Sequence, residues 1–210
     1  MINLDPSKEC LGFLVRHGEL NVGNRWDGWG NFVLSAEGRN SAEAAARWLS
    51  FERIGRVIAS DLPRTIQTAD ILLNNIDAAC SFLATDPNLR AWALGEFSGK
   101  EKTPERKERL QYYRDHPNEM IPEGESWNQL HERVKVIFQY LCTPYNALPT
   151  VIVTHNSVLK ALMDLDEKGD LIEPGGIMAV FLTEKGEFDF QPVLGATASD
   201  AETKLEGSCG

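Results

Sequence analysis

The chain has 210 residues, a net charge of −10 and a hydrophobic fraction of 42%. This length suits one globular domain with a substantial core, and the composition excludes the disordered and fibrous classes. The negative charge argues against nucleic acid as a partner, because like charges repel. No apolar run reaches about 18 residues, so no membrane span is expected. The sequence makes no prediction of the oligomeric state.

The cysteines and the first residues of the chain bear on its location. None of the four cysteines belongs to a CxxC pair: Cys10, Cys80, Cys142 and Cys209. Scattered thiols of this kind indicate neither a zinc ribbon nor a disulfide framework, and they are typical of a reducing compartment. The first six residues lack the basic and apolar regions of a signal peptide. We therefore expect a cytoplasmic protein.

The first half of the chain alternates short apolar runs with helical patterns. Residues 11–15 form an apolar run that predicts a buried strand. After Ser35, small apolar residues recur at helical spacing as far as Leu49, which predicts a helix. Ser35 is a residue type that caps the start of a helix. Two further strands and the helix between them are predicted at residues 56–59, 81–84 and 62–73.

The second half continues the same alternation. Residues 103–116 are charged and helix-prone, and Pro117 ends the pattern. One long amphipathic helix is predicted over residues 126–141. A strand is predicted at residues 150–154, followed by a helix from residue 156 to about Leu165. A closing hairpin is predicted from two strands, at residues 176–182 and 187–190.

Strands that alternate with helices predict an α/β fold, a three-layer α/β/α sandwich with a mainly parallel central sheet. We expect residues 1–195 to form a single domain and the small, polar residues 196–210 to form a disordered tail. In parallel sheets, reactive groups lie in loops at the carboxyl ends of strands. His17 and His155 each follow a predicted strand, so both are candidate site residues.

The first candidate motif is Arg16-His17-Gly18. A strand-end histidine can act as a nucleophile if a backbone acceptor binds its other ring nitrogen. Arg16 can pair with phosphate through its planar guanidinium, and Gly18 lets the backbone approach a phosphate closely. Alone, a motif this short favours a structural histidine.

Two later motifs add further anion-binding groups. Arg64 follows a strand and begins a helix, with Pro63 in its first turn, where the positive helix end suits an anion. An ordinary surface arginine is the alternative interpretation. His155 ends another strand, and Asn156 and Ser157 begin a helix whose N–H groups suit phosphate oxygens.

Together these motifs resemble the histidine phosphatase superfamily, the phosphoglycerate mutase-like family, over nearly the whole chain. The resemblance rests on residues 16–19, 25–29, 34–38, 60–69, 124–126 and 154–155. It implies that His17 carries a covalent phosphoryl group, with Arg16, Arg64 and His155 neutralising the charge of that group. It also implies that no metal or other cofactor is needed. Substrate contacts are expected from Asn21, Arg25 and Asn156; for Arg25, the alternative is an exposed arginine with no ligand.

One part of the family pattern is missing. The family's general acid is usually a Glu directly after Leu-Arg or Leu-Asn, and here Ala91 holds that position. The acid is then Glu96, Glu125 or Asp27, or the chain has none. A placed acid contributes about 10²–10⁴-fold to the rate. The absence of this Glu therefore favours substrates with good leaving groups, such as aryl phosphates, acyl phosphates and phosphohistidine.

The expected function is hydrolysis of a phosphomonoester or phosphohistidine, on a small phosphorylated substrate or a phosphoprotein. The first alternative is a phosphoglycerate mutase, although the segment between Gly99 and Gly124 is short for the lid that shields a mutase site from water. The second is a phosphate-binding protein with reduced turnover. Ala91 favours that alternative, whereas the presence of His17 argues against it.

Overall fold

The computed structural model of the protein describes residues 9–76, 83–143, 147–163 and 171–196. Its strands are β1 (Glu9–Arg16), β2 (Arg56–Ala59), β3 (Leu83–Thr85), β4 (Thr150–Thr154), β5 (Ile172–Leu182) and β6 (Phe188–Ala196). They form one sheet of order β3-β2-β4-β1-β5-β6. The pairs among β1 to β4 are parallel, and β5 pairs antiparallel with both of its neighbours. The predicted mainly parallel sheet is therefore confirmed.

Helices cover both faces of the sheet. They are α1 (Ala36–Leu49), α2 (Pro63–Leu73), α3 (Pro104–Asp115), α4 (Trp127–Val134), α5 (Val136–Cys142) and α6 (Asn156–Leu162). Helices α1 and α2 pack with Phe13 and Val151 on one face, while α4, α5 and α6 pack with Leu14 and Ile152 on the other. Successive strand residues point to opposite faces, so continuous apolar runs fill both cores. The three-layer sandwich is confirmed.

In the described part of the chain, no helix combines the length and the apolarity that a membrane span requires.

The predicted strands agree with the structure best where they are fully buried. Strands β2 and β4 have their predicted bounds, whereas β5 begins four residues before the predicted start. The four additional residues include Pro174 and Gly175, which the strand accommodates at a register shift between Ile172 and Ile177. Strand β6 continues to Ala196, the first residue of the predicted tail; the rest of that tail lies outside the described residues.

Parts of two other predicted elements, residues 81–82 and 164–165, also lie outside the described residues.

The single helix predicted over residues 126–141 is wrong, since two helices, α4 and α5, meet at Lys135. Ser126 and Gln129 form a capping box at the start of α4, with reciprocal bonds of 3.1 and 2.9 Å. At the break, the N–H of Lys135 donates to the carbonyl of Glu132, three residues earlier, at 3.4 Å. The buried face continues across the break, so the apolar spacing gave no sign of it.

Candidate active site

The carboxyl ends of β1 and β4 bring two histidines together. These strands are parallel neighbours, with Arg16 in register with Thr154. The N–H of His17 donates to the carbonyl of Thr154 at 3.0 Å. The ring centroids of His17 and His155 are 5.0 Å apart, with 62° between the ring planes. Sheet order therefore joins residues that are 138 positions apart in the sequence (155 − 17).

The ring of His17 is held in one tautomer. Its Nδ1 lies 2.8 Å from the carbonyl oxygen of Gly18. Because a carbonyl only accepts, Nδ1 carries the proton and Nε2 keeps its lone pair. Burial, followed by the positive charge of Arg64, lowers the pKa of His17 from 6.5 to about 3. The imidazole is therefore neutral at physiological pH, which is the nucleophilic form.

Arg64 lies in the first turn of α2 and has no exposed surface. Its terminal nitrogens donate to the carbonyls of Gly28 and Gly30 at 2.7 and 3.1 Å. The same group forms an ion pair with Asp27 at 3.3 Å. The Nε of Arg64 is buried and has no hydrogen-bond partner among the described residues. Burial lowers the pKa of Arg64. These contacts exclude an ordinary surface arginine.

His155 is also buried, with 2% of its surface exposed. Neither of its ring nitrogens has a hydrogen-bond partner among the described residues. Burial, with the positive charge of Arg64 second, lowers the pKa of His155 well below 6.5. Buried polar atoms are almost always paired in native proteins. The unpaired N–H of His155, like the unpaired Nε of Arg64, is suited to bind an acceptor such as a phosphate oxygen.

A cavity of about 1220 Å³ opens over the histidine pair. Most of the predicted site residues contribute to its wall: Arg16, His17, Arg25, His155 and Asn156. Arg64 is fully buried and is not among the lining residues. Asn21 is exposed and is not among the lining residues. Arg90 forms a bidentate ion pair with Asp61, with both distances 2.6 Å.

The protein family follows from comparison with known proteins. A family model described as the histidine phosphatase superfamily (branch 1) matches residues 13–172. The chain belongs to this superfamily. The matched segment contains all four residues of the proposed phosphoryl pocket: Arg16, His17, Arg64 and His155.

Relatives within the superfamily carry names of two kinds. The probable phosphoglycerate mutase GpmB of Proteus mirabilis is 33% identical over 159 residues, which cover 72% of each chain. The crystal structure of phosphoglycerate mutase from Thermus thermophilus is 26% identical, with a TM-score of 0.63, over 88% of this chain and 97% of that one. A mycobacterial glucosyl-3-phosphoglycerate phosphatase shares the fold, at 22% identity and a TM-score of 0.70, over 89% and 99%. These relatives support an enzyme that handles phosphate.

Ala91, at the position where the sequence comparison expects the acid, lies on the cavity wall. The loop around it is held firmly. Arg133 donates to the carbonyls of Asn88, Arg90 and Ala91 at 2.6 to 2.7 Å. The indole of Trp29 donates to Ala91 at 2.7 Å. A side chain placed at position 91 would therefore start from a defined point on the wall of the cavity that also contains the histidine pair.

Two of the three candidate acids lie away from the cavity wall. Glu125 pairs with Arg133 at 2.6 Å and accepts from the N–H of Ala93 at 2.9 Å, so it positions the loop. Glu96 pairs with Arg109 at 2.6 Å. Asp27 is the candidate that lines the cavity. The tertiary structure thus distinguishes the three carboxylates among which the sequence could not choose a candidate acid.

Sequence reasoning missed a buried cation in the wall. Lys160 is 2% exposed and lines the cavity one helical turn after Asn156. The spacing of four residues on α6 was a usable signal, because it places both side chains on one helix face. Helix α3 gave no such signal, because charged residues occur on all of its sides. The residues of α3 that line the cavity are Lys107, Glu108, Leu110, Gln111, Tyr112, Arg114 and Asp115.

Gly18 has a packing role that the motif did not suggest. A Cβ atom at this position would overlap the carbonyl oxygen of Gly38 in α1. The N–H of Gly18 also donates to the hydroxyl of Thr68 on α2 at 3.2 Å. Glycine therefore lets the loop after β1 lie directly against α1.

The lowered histidine pKa values predict a loss of stability in acid. An unfolded histidine takes up a proton near pH 6.5, whereas folded His17 does so near pH 3. Between these values the unfolded state binds more protons, so the free energy of unfolding falls as pH decreases. Denaturant titrations from pH 7 to pH 4 should show a shallower decline for His17→Ala than for the unmodified protein. Equal slopes would contradict the neutral, buried state of His17.

Proposed function

We propose that the protein is a phosphatase that hydrolyses a phosphomonoester or phosphohistidine through a covalent phosphohistidine on His17. The observation that carries the proposal is the neutral ring of His17, whose Nδ1–H is bound to Gly18 at 2.8 Å. This contact leaves the Nε2 lone pair available for attack on phosphorus. The adjacent His155 and Arg64 supply buried donors without partners among the described residues. Such donors suit the oxygens of a transferring phosphoryl group.

In the first step, Nε2 of His17 attacks phosphorus, and the bond from phosphorus to the leaving oxygen breaks. The leaving oxygen keeps the electron pair of that bond. Arg16, Arg64 and His155 stabilise the equatorial oxygens during the transfer. Arg25 and Asn156 lie on the wall where they can contact the rest of the substrate. Asn21 stays a prediction from the family motif.

Ala91 determines the proposed substrate class. Without a carboxyl group at that position, an alkoxide leaving group receives no proton from the usual donor. Aryl phosphates, acyl phosphates and phosphohistidine need this help least, because their leaving groups are stable as weak bases. The arginines supply the positive charge that a metal ion provides in other phosphoryl-transfer enzymes. We therefore propose turnover without a metal.

Phosphoglycerate mutase activity is a second candidate, supported by the name of the Proteus mirabilis relative. A mutase returns the phosphoryl group to an alcohol of the substrate, and that alcohol must lose a proton as it attacks. The missing carboxyl group at position 91 weakens this half of the reaction as much as the first. We therefore rank hydrolysis above mutase activity.

A pair of assays tests the proposal. With an aryl phosphate and excess chelator, we expect steady release of inorganic phosphate, because neither a metal nor a strong acid is needed. With 3-phosphoglycerate and a bisphosphoglycerate primer, we expect little 2-phosphoglycerate. Rapid isomerisation would favour the mutase, and tight phosphate binding without turnover would favour a binding protein. Activity that disappears with chelator and returns with a divalent ion would contradict the mechanism.

A further inference from the structure

Asp27 is held beside the phosphoryl pocket by Arg64. One of its carboxylate oxygens lies 3.3 Å from a terminal nitrogen of Arg64, and 32% of the side chain is exposed. Arg64 also binds the carbonyls of Gly28 and Gly30, so the whole turn after Asp27 is attached to this buried cation. Asp27 lines the cavity, where it is accessible to water and substrate.

The charge of Asp27 acts directly on His17. Burial and Arg64 lower the pKa of His17, whereas the negative charge of Asp27 raises it. Other carboxylates also line the cavity, but from its outer wall: Glu19, Glu108, Asp115 and Glu173 are all exposed. Asp27 therefore combines access to the cavity with an ion pair to Arg64 at 3.3 Å and an electrostatic effect on His17.

We propose that Asp27 is the general base that activates water for hydrolysis of the phosphohistidine. This inference rests on the proposed function, because it needs a phosphoryl group on His17. A water oxygen attacks phosphorus, and one water proton moves to the Asp27 carboxylate. The bond from phosphorus to Nε2 breaks, and its electron pair returns to His17 as a neutral imidazole. Inorganic phosphate leaves, and Asp27 then releases its proton to solvent.

The ion pair explains the position of Asp27 rather than its basicity. Arg64 holds the Asp27 side chain at 3.3 Å, on the cavity wall, where its carboxylate can accept a proton from water. An aryl oxide leaves without a proton, so the first step does not depend on Asp27. The second step does, because water is a poor nucleophile until it loses a proton. Removal of the carboxylate should therefore slow the second step selectively.

Asp27→Asn tests the proposal. Asn keeps an oxygen that can accept from Arg64, so the turn stays attached, but the amide cannot take a proton. In rapid-quench experiments with an aryl phosphate, we expect a burst of aryl oxide equal to the enzyme concentration. Steady turnover should then be about 10²–10⁴-fold slower than in the unmodified enzyme. Label from a ³²P-substrate should accumulate as acid-labile, base-stable phosphohistidine.

Glu96→Gln is the matched control. Glu96 pairs with Arg109 outside the cavity wall, so its loss should leave both the burst and the steady rate unchanged. A uniformly slow Asp27→Asn variant, with no burst and no accumulated label, would overturn the proposal and leave Asp27 as a positioning residue for Arg64. If rapid quench of the unmodified enzyme labels a group other than histidine, or none, the proposed function itself fails.

Discussion

His17→Ala is expected to abolish phosphatase turnover while leaving the fold intact. Loss of a covalent nucleophile lowers kcat by about 10⁴-fold or more, because the remaining pocket can bind phosphate but cannot accept the phosphoryl group. The fold should persist, since the ring of His17 contributes one hydrogen bond, to Gly18, while the strand is held by its backbone pairing with β4 and β5. Steady-state assays with an aryl phosphate, with circular dichroism as a check on folding, measure both effects.

The matched control is His116→Ala. This exposed histidine follows α3 and binds the carbonyl of Tyr112, so its loss should not change turnover. The unmodified enzyme and the control should retain acid-labile, base-stable label after brief exposure to substrate, and His17→Ala should not. Substantial hydrolysis by a folded His17→Ala variant would show that another residue is the nucleophile.

Ala91→Glu is expected to raise activity on alkyl phosphates far more than on aryl phosphates. Ala91 lies on the cavity wall, and its loop is clamped by Arg133, so the new carboxyl group should reach the leaving oxygen. An alkoxide is a strong base that needs a proton as it leaves, whereas an aryl oxide is stable without one. The ratio of kcat/KM for an alkyl over an aryl phosphate should rise by about 10²-fold. The carboxyl group donates only when protonated, so the gain should fade as pH rises through its pKa.

Ala91→Gln controls for side-chain size in this experiment. It adds nearly the same volume and similar hydrogen bonds, but an amide does not protonate the leaving oxygen. The ratio should stay at its original value in Ala91→Gln. An unchanged or lowered ratio in a folded Ala91→Glu variant would be evidence that the carboxyl group points away from the leaving oxygen or that another residue already supplies the proton.

Much of the fold was predictable because its signals are local. The apolar runs of β2 and β4 gave their bounds directly, since a strand buried on both faces is apolar at every position. Ser35 was recognisable as the cap of α1, and its hydroxyl does accept from the N–H of Gly38 at 3.0 Å. The break at Lys135 was not predictable, because the buried face of α4 and α5 keeps its spacing on both sides of it.

The sequence by itself determined the family pattern of this protein: two histidines at strand ends, an arginine at the start of a helix and an alanine at position 91. These features depend on residue type and short spacing, which folding does not alter. Only the tertiary structure decided which of the three candidate acids lines the pocket. Glu125 and Glu96 form ion pairs with Arg133 and Arg109 away from the cavity wall, whereas Asp27 forms its ion pair with Arg64 and lines the cavity. These pairings depend on how the loops and helices pack against one another, which short sequence patterns do not show.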